Sequence, residues 1–217
     1  MKTNTLDIDT QALRHRILDL AMQGKLVKQN PSDEPASVLL NKIKAEKTEL
    51  VKKSKPLPEI NDGEKPFVIP ENWEWVRLAW VIALTSGRDL PKSQHLTNNS
   101  VPDSIPYITG ASNINDNTGK ITINEWTTDT STVASAGDIL ISVKGTVGKI
   151  TQLRLKKAYI ARQIMAISHT RSLSNDYLIS YLRWYVTKLR SKARSMIPGI
   201  SRNDILSSPI PLPPLSE

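Results

Sequence analysis

The chain contains no cysteine, so disulfides, zinc–thiolate sites and cysteine nucleophiles are all excluded. This fits a reducing compartment, and a cytoplasmic location is expected. It contains one phenylalanine and three histidines, and the histidines (His15, His95, His169) stand far apart. Their separation favours surface or loop positions over a metal site, and no metal or cofactor is expected. No run approaches the length of a membrane-spanning helix, and the opening MKTNTLDIDTQ lacks the apolar core of a signal peptide.

Catalytic signatures are missing too. No lysine has an acid two residues before it, as the common metal-dependent nuclease motif requires. Gly148-Lys149 is followed by Ile150, and Val143 occupies the first glycine position of a P-loop, so the turn there is no nucleotide site. The dinucleotide glycine fingerprint, the Gly-x-Ser-x-Gly elbow and the Asn/Asp-Pro-Pro-aromatic run of amino-methyltransferases are also absent. The chain is expected to be non-catalytic.

What is present is positive charge. The net charge is +8 and the sequence pI about 9.6. From Lys144 to Arg202 there are 13 Lys/Arg and a single acid, Asp176. Such a regional excess points to nucleic acid, with a solvated basic face as the bland alternative. The stretch opens on GDILISVKGTVGKI at 137–150. There an apolar strand meets a basic turn whose two glycines permit positive φ, and a second strand follows. Lys144, Lys149, Lys156, Lys157 and Thr146 are candidate phosphate contacts. Exposed turn amides could add an anion-binding concavity. Arg162, Gln163, Arg88, Gln94, Asn98 and Asn99 have the chemistry to read base edges, and Lys92 lies in the same loop as Gln94.

Periodicity organises the rest. Leu13, Ile17, Leu20 and Ala21 recur at helical spacing over 10–27. Leu39, Leu40, Ile43 and Leu50 do so along a second helix that begins near Pro35 and carries a Glu49–Lys53 pair. Together they predict an antiparallel helical hairpin over 1–55. Leu13, Ile17, Leu20, Leu39, Ile43 and Leu50 are candidates either for internal packing or for docking a partner. Residues 56–66 read as a proline-rich linker. From 67 to 217 the pattern is mostly strands: a first strand within 70–78, an ambiguous apolar run to Leu84, an edge-type strand at 105–108, then 121–127, 138–143, 149–155 and a longer strand at 158–168. A long polar loop spans 86–104. A helix is expected at 175–195, and the chain closes on a polyproline-like run. The fold class is therefore α+β: an N-terminal helical hairpin plus a mainly antiparallel β domain with one or more helices.

Several segments taken together resemble the specificity subunits of type I restriction–modification systems. They are LRHRILDLAMQGKLVKQNPSDEPASVLLNKIKAEK at 13–47, PENWEWVRL at 70–78, TSGRDLPKS at 85–93 and IPYITGASNIN at 105–115. GDILISVKGTVGKI at 137–150, AYIARQIMAI at 158–167 and IPGISRNDILSSPIPLPPLSE at 197–217 complete the set. The resemblance implies that 67–217 is a target recognition domain reading half of a split site in double-stranded DNA. It also implies that the helical region docks a methyltransferase (M) subunit, with a restriction (R) subunit in the full complex and no membrane. The chain stops at Glu217, where such a subunit would enter its next long helix. Either it is a truncated form or it is a natural half-subunit; a half-subunit would act as a homodimer on a symmetric site. The alternatives to a DNA reader are an assembly scaffold with incidental charge and an enzyme with a dispersed site.

Overall fold

The structure is a computed structural model that describes residues 9–50, 57–192 and 199–216. Helix α1 spans Thr10–Met22, with the Asp9 carboxylate accepting from the Gln11 and Ala12 amides at its start. Helix α2 spans Ala36–Leu50. The chain then forms β1 (Glu74–Arg77), α3 (Leu78–Val81), β2 (Ile82–Ser86), β3 (Ile105–Ile108), β4 (Glu125–Thr127) and β5 (Val133–Ser135). It continues through β6 (Ile139–Ser142), β7 (Ile150–Gln152), β8 (Lys157–Ile160) and β9 (Ile164–His169). Helices α4 (Asn175–Lys192) and α5 (Arg202–Leu206) follow, and β10 (Pro209–Leu212) ends the order. The side chain of Leu50, the Glu49–Lys53 pair and the helical extension beyond Lys192 lie outside the described residues.

Two four-stranded sheets are stacked. One has the order β2-β9-β6-β7 and is antiparallel throughout; the other is β4-β3-β8-β5, with β3 and β8 parallel. Alternation along the strands shows the layering. Ile139, Ile141 and Ile167 point toward the helices, where they meet Leu178, Leu182 and Ile43 in the main core. Leu140, Ile164 and Ala166 point the other way, onto Ile108, Ala134, Ala158 and Ile160 of the second sheet. The first sheet is thus buried on both faces. That is why β6 and β9 read as continuous apolar runs rather than alternating ones.

Each N-terminal helix packs onto the remainder of the chain. Helix α1 lies against α4, where Asp19 accepts from Trp184 Nε1 at 2.8 Å and pairs with Lys188 at 2.7 Å. Desolvation pushes the Asp19 carboxyl up, but the hydrogen bonds from Lys188 and Trp184 outweigh it and hold the group below its ordinary value. Helix α2 lies against α3 and donates Lys47 to the Ala79 carbonyl. Leu39 and Ile43 are buried in the core of this same chain. The reading of those two as partner contacts is therefore corrected in favour of internal packing. The PENW segment explains the docking: the Asn72 carbonyl accepts from the Ala36 amide at 2.9 Å, and Trp73 Nε1 donates to Gln29 at 3.0 Å.

Nor does the stretch after residue 56 hang free. Arg77 is 4% exposed and gathers it in. Its guanidinium donates to the carbonyls of Pro58, Glu59 and Ser207 and to both carboxylate oxygens of Glu64. The terminal proline run is also a strand. Pro209 and Pro211 alternate with Ile210 and Leu212, and β10 pairs with β1. The proline carbonyls face the free edge, where no amide is needed. Tyr181 donates to Pro209 at 3.2 Å and Tyr177 to Pro211, while Tyr185 donates to Asp204 at 2.7 Å. Tyrosines four apart on α4 thus form a ladder along the C-terminal segment. Burial raises all three hydroxyls, Tyr185 to about 12. Tyr181→Phe leaves the Pro209 carbonyl without its partner. It should cost roughly 1–2 kcal/mol in urea unfolding, with an unchanged m-value.

Three further expectations are revised. The run to Leu84 is helix and then strand, α3 followed by β2. The 105–108 strand is internal, flanked by β4 and β8; Pro106 is tolerated because pairing with β8 begins only at Tyr107. The longer strand at 158–168 is two strands, broken at 161–163 where the chain crosses from one sheet to the other.

Candidate nucleic-acid interface

The break between β8 and β9 sets the geometry of the basic region. At this corner the Ala161 amide donates to the Ile108 carbonyl at 3.0 Å, and the Val143 amide donates to the Gln163 carbonyl at 2.8 Å. The corner therefore lies beside the β6–β7 turn, where Lys144, Gly145 and Thr146 are exposed. Ser142 builds that turn. Its hydroxyl donates to the Thr146 carbonyl at 2.7 Å and accepts from the Lys149 amide at 2.9 Å, while the Gly148 amide donates to the Ser142 carbonyl at 2.7 Å. Gly145 and Gly148 take φ of 70° and 84°, which the tight turn requires.

These bonds correct one expectation. The amides of Gly148 and Lys149 are engaged inside the turn and are not offered to an anion. The Lys149 ammonium is also turned inward, donating to the carbonyls of Ala111 and Ile114 at 2.9 and 3.0 Å. It closes the end of a 3₁₀ turn at Ala111–Asn113 rather than standing out as a free cation. Lys144 and Thr146 remain as the turn's outward groups.

Loop 86–104 reaches the same corner. The Gly87 amide donates to the Ile164 carbonyl and the Arg88 amide to the Ile160 carbonyl, both at 3.0 Å. A Cβ on Gly87 would stand 2.0 Å from the Ala161 carbonyl oxygen, so only glycine permits this approach. Asp89 then takes hold of Arg162: one carboxylate oxygen accepts from its amide at 3.1 Å, the other from its Nε at 2.8 Å. Gln163 behaves differently from its neighbour. Its Oε1 rests against Gly110 and near Gly145, so its side chain joins two loops.

The remainder of the loop covers the outer face of the second sheet. The Leu90 amide donates to the Tyr107 hydroxyl at 3.3 Å, and the His95 ring meets the Tyr107 ring edge-on at 5.0 Å and pairs with Glu125. His95 is thus an anchor of the loop rather than a plain surface residue. Lys92 and Gln94 are exposed on the 3₁₀ turn between Leu90 and His95. Arg88 is exposed beside Asp129, whose carboxyl is held below its ordinary value, first by hydrogen bonds from Ser131 and then by the Arg88 charge.

Not all of the basic stretch converges here. Lys156 precedes β8 and Lys157 opens it, beside Ala136 and Ser135, at the end of the sheets away from the β6–β7 turn. Arg88, Lys144, Thr146, Arg162 and Gln163 come together at the corner; Lys156 and Lys157 do not join them. Asp89, Gly87 and Arg202 were missed in the sequence. Arg202 Nη1 donates to the Leu84 carbonyl at 2.6 Å, and the Ile200 amide donates to the Val143 carbonyl at 2.9 Å, so segment 199–202 braces the corner from beneath. The one available sequence signal was Arg162-Gln163 itself, a polar pair interrupting an apolar run. Among the described residues, no three His, Asp or Glu side chains are grouped to hold a metal ion. No described helix is long and apolar enough to cross a membrane.

Comparison with known proteins gives this arrangement its context. The specificity subunit of the type I restriction enzyme EcoAI of Escherichia coli is 51% identical over 88 residues, 38% of this chain and 15% of that one. The EcoDI specificity subunit of the same organism is 28% identical over 152 residues, 69% of this chain and 29% of its own length. Among solved structures, the HsdS subunit from Thermoanaerobacter tengcongensis superposes with a TM-score of 0.59 at 25% identity, over 95% of this chain and 42% of that one. The chain therefore spans less than half the length of these relatives. A family profile, that of the type I restriction modification DNA specificity domain, matches residues 70–217. With that match covering most of its length, the chain belongs to the family of type I restriction modification DNA specificity domains.

Proposed function

We propose that this chain is a non-catalytic reader of double-stranded DNA. It would recognise one half-site and direct methyltransferase and restriction subunits to it in the cytoplasm. The observation that carries this reading is the corner at 160–164, where two loops and a basic turn from separate parts of the chain meet on one rigid edge. Arg88, Lys144 and Thr146 would position the phosphate backbone, and Arg162 would face the bases. The N-terminal helices would serve the partner. Leu13 and Ile17 are 51% and 44% exposed on α1, and Leu20 is half-buried beside them. Leu26, Val27 and Leu215 are exposed around an adjacent groove of about 500 Å³ that Met22, Trp73 and Tyr177 also line. A homodimer, expected for a natural half-subunit, would place two corners on one symmetric site.

Mapping of methylated sites with the methyltransferase partner present tests the reading. A defined motif supports it, and methylation without sequence preference overturns it. Binding should weaken steeply with salt, each phosphate contact adding about 0.9 to the log–log slope. Lys144→Ala should lower that slope by about one contact and weaken all sequences alike. Lys149→Ala should change the slope less, because its ammonium already serves Ala111 and Ile114.

A further inference from the structure

The Asp89–Arg162 pair is odd for a DNA-facing surface. A carboxylate close to phosphates repels them, and an exposed ion pair adds little stability. Yet Asp89 is built in with care. The amides on its N-terminal side, Gly87 and Arg88, are pinned to Ile164 and Ile160 on the corner. From there its two oxygens hold the backbone amide and the Nε of the same arginine, at 3.1 and 2.8 Å. The Arg162 side chain is nevertheless 67% exposed, and among the described residues Nη1 and Nη2 have no partner. The guanidinium is therefore clamped at its root, with its two terminal nitrogens presented outward as a pre-set fork.

That fork has a specific match. In the major groove guanine offers two adjacent acceptors, N7 and O6, whereas adenine offers one acceptor beside a donor, which would oppose an arginine N–H. Cytosine offers a donor, and thymine an acceptor beside a methyl group. Holding Nε in advance removes rotamer freedom that would otherwise be lost on binding. It also fixes the plane of the fork relative to the corner. Gln163 cannot share the task as it stands, because its Oε1 lies against Gly110.

We infer that Arg162 reads a single guanine of the half-site through N7 and O6, and that Asp89 is its positioning residue. This rests on the DNA-reading assignment above. The test uses the full chain assembled with its methyltransferase partner and the motif found by methylation mapping. Each guanine of the half-site is replaced in turn by 7-deazaguanine, which lacks the N7 acceptor but pairs normally. At one position the parent complex should lose about tenfold in affinity, the scale of a bidentate base contact. Arg162→Lys keeps the charge and loses the fork. It should bind the unmodified site about tenfold more weakly, become indifferent to 7-deazaguanine at that position and keep its salt slope. Asp89→Asn should weaken binding to the recognised site severalfold while leaving or raising affinity for unrelated DNA.

A charge-only role for Asp89 gives the opposite sign, with Asp89→Asn binding every sequence more tightly and discriminating as before. That result overturns the inference. So does a half-site without guanine, or an Arg162→Lys complex that remains sensitive to 7-deazaguanine at every position where the parent is. Loss of all sequence preference in the parent complex would instead remove the DNA-reading assignment, and the inference with it.

Discussion

An Arg77→Ala chain should be less stable than the parent by about 4 kcal/mol, a fall in Tm of roughly 10 °C for a chain of this size. The expectation follows from how many groups converge on one buried cation. Arg77 is 4% exposed and satisfies the Pro58, Glu59 and Ser207 carbonyls together with Glu64. Removing it deprives the Pro58, Glu59 and Ser207 carbonyls of their shared donor and leaves a void where the buried cation stood, and each lost hydrogen bond to a charged group costs about 1.5–3 kcal/mol. Guanidinium denaturation of both chains checks the magnitude. The pH dependence gives an independent signature. Hydrogen bonds from Arg77 hold the Glu64 carboxyl below its ordinary value. Its contribution is therefore complete above the unfolded-state pKa and is lost as pH falls through the lower folded value. The gap in stability between parent and Arg77→Ala should accordingly narrow in acid. A gap that is flat down to pH 3 would mean the carboxylate contributes nothing.

Gly87→Ala should be the most damaging single change at the corner. A methyl group 2.0 Å from the Ala161 carbonyl cannot be accommodated by a side-chain adjustment, because the obstacle is backbone. The loop has to lift. Lifting breaks the Gly87–Ile164 and Arg88–Ile160 bonds and carries Asp89 away from Arg162. Overpacking of this kind costs about 3 kcal/mol. The larger consequence is functional: sequence preference in the assembled complex should collapse while salt-sensitive, non-specific binding persists. Methylation mapping and a salt titration on the same preparation separate the two. Retained preference would show that loop 86–104 takes no part in reading DNA.

Much of the scaffold was legible beforehand. Helices α1 and α4 were visible because each carries an apolar stripe at helical spacing, which α4 buries in the main core and α1 leaves partly exposed. The β6–turn–β7 unit was visible because glycines and lysines interrupt two apolar runs. Where both faces of a strand are buried, the period vanishes. Residues 158–168 looked like one strand for that reason, and the corner holding Arg162 was hidden inside it. The site residues were harder still, because their meaning depends on partners far along the chain. Asp89 lies 73 residues from Arg162. Lys149 reaches back 38 residues to Ala111, and nothing local distinguishes its inward ammonium from the outward one of Lys144. Leu39 and Ile43 were correctly seen as one apolar stripe, but a stripe does not say whether its cover comes from the same chain or another.

The pairing of β1 with β10 has a consequence for evolution. Glu74 stands opposite Leu212 and Arg77 opposite Pro209, so the polypeptide enters and leaves the sandwich side by side, a strand's width of about 5 Å apart. A unit whose entry and exit coincide is a cassette. It can be exchanged for another of different loops, lengthened or duplicated without moving whatever precedes or follows it. The proline-rich strand thus also acts as the unit's clasp: new recognition loops can be tried between β2 and β9 while α3 and α4, on which the N-terminal helices rest, stay where they were.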